Sequence, residues 1–126
     1  MKKLELKIAV TTLLYLITFV FGFWLSFSGR PLNTAIFAVH KIAAVIMIIL
    51  AVIIFSQFIK NEEIKTVTLG FIVTSGVLVL LALSSGIWLS LIKDVNELIL
   101  NIHMASSILA GISTAITIYL LVNNTK

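Results

Sequence analysis

The chain has 126 residues, of which 60% are hydrophobic and only 11% are charged, too few polar side chains to cover a soluble domain of this size. Its mean hydropathy of +1.20 predicts an integral membrane protein instead. The absence of cysteine excludes disulfides, thiolate metal sites and thiol nucleophiles, and a net charge of +4 dispersed over loops and ends argues against nucleic acid as a partner.

Four apolar stretches follow one another along the chain, at residues 8–28, 33–59, 66–91 and 96–122. Each is long enough to cross about 30 Å of hydrocarbon as a helix. Pro31, the only proline, is placed to start the second helix. Asp94 and Glu97 lie near the start of the fourth helix, where the helix dipole favours acidic side chains. The pattern predicts an all-α, up-down-up-down bundle of four transmembrane helices, forming a single membrane domain over residues 1–126.

Lysine and arginine are divided unequally between the two ends of these helices. One side has six: Lys2, Lys3, Lys7, Lys60, Lys65 and Lys126. The other side has three: Arg30, Lys41 and Lys93. Because cytoplasmic loops carry the excess of positive charge, we expect both termini in the cytoplasm of a prokaryotic cell. Trp24 and Trp88 are then expected in the aromatic belt of the outer leaflet. The first apolar run is longer than that of a signal peptide, so we expect it to be retained.

The chain contains an internal duplication. The segment Gly22-Phe-Trp-Leu-Ser26 returns as Gly86-Ile-Trp-Leu-Ser90, at an offset of 64 residues. After the serine the offset is 63, and Arg30, Asn33, Ile36 and His40 correspond to Lys93, Asn96, Ile99 and His103. Repeat one covers about residues 8–59 and repeat two about 66–122. Since each repeat is a hairpin of two spans, both enter the membrane in the same sense, and their pseudo-twofold axis follows the membrane normal.

His40 and His103 are the only histidines, and the duplication gives them equivalent positions. Each lies about eight residues into its helix, roughly 10–12 Å below the outer interface at 1.5 Å per residue. Helices two and four of such a bundle lie diagonally opposite, so inward-facing imidazoles would point at each other. An ionisable side chain within a span is costly and marks a functional site. Because haem iron accepts an imidazole nitrogen from each side, the pair predicts one bis-histidine haem b.

The surroundings of the two histidines suit a flat, wide ligand. Residues three and four positions after each histidine share its helix face and are all small: Ala43, Ala44, Ser106 and Ser107. Gly22 and Gly86 remove side chains where a macrocycle edge would approach. Arg30, Lys41 and Lys93 would pair with the haem propionates. Small residues equally suit close helix packing without a ligand, and the histidines themselves can be packing residues copied by duplication.

The pattern resembles one four-helix half of haem A synthase. Ser85-Gly86-Ile87-Trp88 through His103-Met104-Ala105 is similar to the glycine-bearing third helix and the histidine that opens the fourth, and His40-Lys41 is similar to the His-basic pair of the second helix. The resemblance covers the whole chain and implies the fold and the binding of haem. The chain departs from the family in its shorter first outer loop, in lacking the loop cysteines, and in having Phe37 near the place of a catalytic glutamate.

Two axial histidines leave iron with no open position, which favours electron transfer over ligand chemistry. The sequence therefore predicts a membrane b-type cytochrome that exchanges electrons between a membrane quinol and an outward-facing redox protein, as a monomer or a homo-oligomer. Two alternatives stay open. One is a half-sized, haem A synthase-like enzyme that modifies haem. The other is a haem-free membrane scaffold, assembly factor or small-molecule carrier.

Overall fold

A computed structural model describes residues 2–61 and 63–124, and every regular element within these ranges is an α-helix. The helices are α1 (Lys2–Ser28), α2 (Thr34–Asn61), α3 (Thr66–Leu91) and α4 (Glu97–Asn124). All four are long and apolar enough to cross a membrane. The predicted all-α class with four transmembrane-length helices is confirmed. Lys126, which the orientation prediction used, lies outside the described residues.

The start of α2 differs from the prediction. Pro31 does not begin the helix; it lies in the connection, and α2 begins at Thr34. The reason is Asn33, whose Oδ1 accepts hydrogen bonds from the backbone N–H groups of Ala35 and Ile36 at 3.0 and 3.1 Å. Asparagine is among the preferred N-cap residues because this side-chain oxygen satisfies N–H groups that have no partner inside the helix.

The end of α1 and the start of α4 follow the same capping chemistry. Gly29 directly follows α1 with φ +67°, the left-handed conformation that glycine adopts readily after a helix. Asn96, the repeat partner of Asn33, precedes α4, and its Oδ1 accepts from the N–H of Ile99 at 3.2 Å. The duplicated asparagines are therefore N-caps, a role that the repeat alone did not reveal.

The helices pack in pairs, α1 with α2 and α3 with α4. We call these pairs the first and second hairpins. They coincide with two compact units, one ending at Asn61 and the other comprising the rest of the chain, and with the two sequence repeats.

The duplication is visible in the packing as well as in the sequence. Four buried positions of the first hairpin correspond, at the repeat offsets, to four buried positions of the second: Thr11 to Ser75, Ala43 to Ser106, Ile54 to Thr117 and Phe58 to Leu121. The second hairpin therefore buries these same four positions with different residue types, and it also buries others, such as Ser85 and Ser113, whose counterparts Phe21 and Leu50 are half-buried.

Large apolar side chains cover the exposed surface of both hairpins. Trp24 and Trp88, which are repeat partners, expose 57% and 58% of their surface, and they are accompanied by many exposed leucine, isoleucine and valine side chains. Water-soluble monomers rarely expose apolar surface on this scale. With the length of the four helices, this surface identifies an integral, multi-pass membrane protein whose environment is the lipid bilayer.

Candidate functional site

His40 lies in α2, seven positions after the cap residue Asn33, and its ring contacts α1. Its Nδ1 is 2.8 Å from the carbonyl oxygen of Thr18. A Cβ atom added to Gly22 would lie 2.7 Å from Cε1 and 3.0 Å from Nδ1 of His40. Because real Cβ atoms do not approach other atoms so closely, the imidazole takes up the space that any side chain at position 22 would need.

His103 is held in the same way by the second hairpin. It lies seven positions after Asn96, and its Nδ1 is 2.8 Å from the carbonyl oxygen of Ala82. A Cβ atom at Gly86 would lie 2.8 Å from Cε1 and 3.2 Å from Nδ1 of this ring. In each hairpin the carbonyl belongs to the residue four positions before the glycine. We call this pairing, of the glycine and the carbonyl four residues before it, the histidine seat.

The histidine seat determines which ring nitrogen carries the proton. A carbonyl oxygen only accepts hydrogen bonds, so Nδ1 of His40 donates to Thr18 O, and Nδ1 of His103 donates to Ala82 O. A carbonyl oxygen has two lone pairs and can accept from an imidazole without leaving its helix bond. In a neutral imidazole protonated on Nδ1, the remaining lone pair belongs to Nε2. Both rings therefore have the tautomer that binds a metal through Nε2.

The two seats differ in the side chains around them. Ser85, next to Gly86, has its Oγ 3.3 Å from Nδ1 of His103, and its repeat counterpart is Phe21, which has no hydroxyl. In the first hairpin the carbonyl belongs to a threonine, Thr18, whose Oγ1 is buried and has no hydrogen-bond partner among the described residues. Each seat has its own carbonyl and its own glycine in the same arrangement, whereas the polar side chains beside them differ.

The small residues predicted to surround a haem lie within the helix packing. Ala43 and Ser106 are buried, and Ala44 and Ser107 are half-buried. The serine hydroxyls donate to their own helix: Ser106 Oγ to Ile102 O at 2.6 Å, and Ser107 Oγ to His103 O at 2.6 Å. The space at the two glycines is occupied by the imidazoles. That the glycines and these small residues also contact a macrocycle stays a prediction.

Two of the three predicted propionate partners lie in connections between helices, and the third, Lys41, directly follows His40 within α2. Arg30 is half-buried in the connection between α1 and α2, while Lys41 and Lys93 are exposed. Lys41 Nζ lies 4.9 Å from the centroid of the Phe37 ring, a cation–π distance. Their pairing with carboxylates of a ligand stays a prediction.

Sequence reasoning found the histidines and glycines but missed their relation. The signal that was available is the spacing between glycine and histidine, which is nearly the same in both repeats. Across the described ranges, no group of three or more His, Cys, Asp or Glu side chains is placed to hold a metal ion.

No family model, no curated protein and no solved structure matches the chain. The resemblance to one half of haem A synthase accordingly rests on the short motifs around the two histidines.

Proposed function

We propose that the protein is a small membrane cytochrome of b type that binds one haem b through Nε2 of His40 and Nε2 of His103. The observation that carries the proposal is the histidine seat, present once in each hairpin. Histidines that ligate metals usually donate their other ring N–H to a carbonyl or carboxylate, which fixes the tautomer and the ring orientation. Both histidines of this chain make that bond, at 2.8 Å in each case.

The residues around the two histidines differ between the hairpins, and this difference supports a functional role of the histidines over a role in packing alone. Elsewhere the hairpins bury different residue types at equivalent positions, such as Ile54 and Thr117. Beside the seats, too, the residue types differ: Phe21 corresponds to Ser85, and Thr18 corresponds to Ala82. A histidine kept only for packing would be expected to vary like these neighbours. The glycine, the carbonyl and the protonated ring nitrogen are instead the same in both hairpins.

The residues of the chain have distinct tasks in this proposal. The backbone carbonyls of Thr18 and Ala82 hold the Nδ1 protons and orient the rings, and the capping asparagines set the depth of each histidine along its helix. Arg30, Lys41 and Lys93 would pair with the two propionates. When bound, a bis-histidine haem supplies one-electron transfer and leaves no open position on the iron.

The site's depth suggests its redox partners. Each histidine follows its cap by seven residues, so it lies roughly 10 Å along its own helix from the start of that helix. The start of each of these helices is at the same end of its hairpin as Trp24 or Trp88. We propose that the opposite end, which has the excess of lysine, lies in the cytoplasm of a prokaryotic cell. One haem at this level would not carry electrons across a core of about 30 Å alone. We therefore propose a membrane quinol and an outward-facing redox protein as its partners.

The optical spectrum of the purified protein tests the proposal. Protein from a haem-replete host should contain about one haem per pair of histidines and show a Soret band and a sharp α-band when reduced. His40→Ala and His103→Ala should each lose the low-spin spectrum. Val39→Ala and Ile102→Ala are matched controls, because these neighbours are 41% and 43% exposed and should leave the spectrum unchanged.

Two outcomes would contradict the proposal and favour its alternatives. Folded protein that is colourless when prepared with excess haem would favour the haem-free scaffold or carrier. Mass spectrometry of the extracted haem gives the other outcome: altered methyl or vinyl groups would favour a haem-modifying enzyme.

A further inference from the structure

Ser85 gives His103 a contact that the first hairpin does not reproduce. Ser85 is buried on α3, and its Oγ is 3.3 Å from Nδ1 of His103. The hydroxyl has a single proton, and two carbonyls of its own helix lie within reach of it, Leu81 O at 2.6 Å and Ala82 O at 3.1 Å. With its proton used on a carbonyl, the serine oxygen accepts from the imidazole. The Nδ1–H of His103 is thus shared between Ala82 O and Ser85 Oγ.

The equivalent position beside His40 cannot do this. Phe21 stands at the repeat counterpart of Ser85, and a phenyl ring brings no oxygen lone pair to Nδ1. The carbonyl bond is 2.8 Å in both hairpins, so the serine contact is added to a common arrangement rather than exchanged for it. The two seats therefore differ at this position, which has a serine hydroxyl beside His103 and a phenyl ring beside His40.

We propose that Ser85 is a positioning residue that makes the imidazole of His103 more electron-donating and lowers the reduction potential of the bound haem. Acceptors on the far ring nitrogen raise the basicity of a metal-ligating histidine. Hydrogen bonding around the axial ligands is one means by which a protein sets a haem potential, and a more basic ligand favours the oxidised iron. The redox part of this inference rests on the proposed function, whereas the hydrogen bond itself does not.

A redox titration of the haem-loaded protein tests the redox part. Ser85→Ala removes the second acceptor and should shift the potential to a more positive value, while Ser85→Thr keeps a hydroxyl and should stay close to the unsubstituted protein. Ser84→Ala is the matched control. That serine is the exposed neighbour on the same helix, and its hydroxyl donates to Leu80 O at 2.7 Å, so the substitution removes a similar bond away from the histidine.

Nitrogen NMR of protein prepared without haem tests the hydrogen bond separately. The chain has two histidines, so ¹⁵N-histidine labelling gives two imidazoles, which His40→Ala assigns. Ser85→Ala should move the Nδ1–H resonance of His103 and leave that of His40 in place, and Ser84→Ala should move neither. Phe21→Ser places a hydroxyl beside His40 and should move its resonance in the opposite sense, which keeps the test decisive if Ser85→Ala does not fold.

The outcomes separate this inference from the proposed function. Equal potentials for Ser85→Ala and Ser84→Ala in a haem-loaded protein would overturn the inference and leave the cytochrome proposal standing. A protein that binds no haem would overturn the cytochrome proposal and the redox part together. An Nδ1 resonance that Ser85→Ala leaves unmoved would overturn the hydrogen bond on which the inference is built.

Discussion

The two hairpins are alike at their histidines and different toward their other ends. The second hairpin buries a hydroxyl cluster formed by Ser75, Ser113 and Thr117, in which Ser75 Oγ lies 2.7 Å from Ser113 Oγ and 3.2 Å from Thr117 Oγ1. In the first hairpin the counterparts of the last two are Leu50 and Ile54. Side chains that hold two helices together by hydrogen bonds in one half are replaced by apolar packing in the other.

This difference separates the contacts that vary between the two hairpins from those that both hairpins have. In a membrane, hydrogen bonds between helices contribute about 0.6–2 kcal/mol, an amount that good packing can also supply. The histidine seat has no such substitute, because only a residue without Cβ leaves room for the ring. The positions of the hydroxyl cluster differ between the hairpins, whereas the two glycines that leave room for the imidazoles are the same in both.

The largest effect is expected from filling a seat. Gly22→Ala and Gly86→Ala would place a Cβ atom 2.7 and 2.8 Å from the respective histidine Cε1 and force the ring away from its carbonyl. Overpacking of this kind costs about 1–3 kcal/mol, and we expect the low-spin haem spectrum to be lost or strongly reduced. Absorption spectra and haem content of the purified variants measure this.

Gly76→Ala is the control for these substitutions. It lies on α3, as Gly86 does, but nothing is within 4 Å of its added Cβ, and alanine is favoured over glycine inside a helix by about 0.5–1 kcal/mol. Gly76→Ala should therefore keep its haem. If Gly86→Ala and Gly76→Ala retained haem equally, the seat would not be needed for ligation.

Removing a cap should have the next largest effect. Asn33→Ala and Asn96→Ala would each take away the side-chain acceptor at the start of a histidine-bearing helix, at a cost of about 0.5–2 kcal/mol. Because Asn33 bonds two N–H groups and Asn96 one, we expect the first substitution to cost more. Unfolding in detergent, followed by circular dichroism, measures the difference. Asn101→Ala, an exposed site inside α4, is the control.

A smaller effect is expected where the hairpins differ most. Ser75→Ala removes both hydrogen bonds of the hydroxyl cluster and should destabilise the protein by about 0.6–2 kcal/mol. Its counterpart Thr11 donates to Lys7 O within its own helix, at 2.7 Å, so Thr11→Ala should cost less. The same unfolding measurement compares them. Equal losses would mean that the cluster does not stabilise the second hairpin more than packing stabilises the first.

The fold and half of the site could be predicted from the sequence. Composition and length give four membrane helices, and the repeat gives two hairpins with equivalent histidines and glycines. The relation between them could not be predicted, because the partner of each ring is a backbone carbonyl, at Thr18 and Ala82, and every residue has one. Pro31 misled the prediction of the α2 start because its preference for the first helical turn is weaker than the side-chain cap that Asn33 provides two residues later.

The smallest effect is expected at Thr18, and it tests whether the seat is made by backbone alone. Thr18→Ala gives the first hairpin the residue that the second has at position 82 and removes a buried hydroxyl with no partner among the described residues. The carbonyl that accepts from His40 stays, so the haem spectrum and the Nδ1 resonance of His40 should not change, and stability should change by less than about 0.5 kcal/mol. A displaced His40 resonance would mean that the threonine side chain, and not only its carbonyl, orients the ring. The two seats would then be equivalent in geometry but not in the atoms that maintain it.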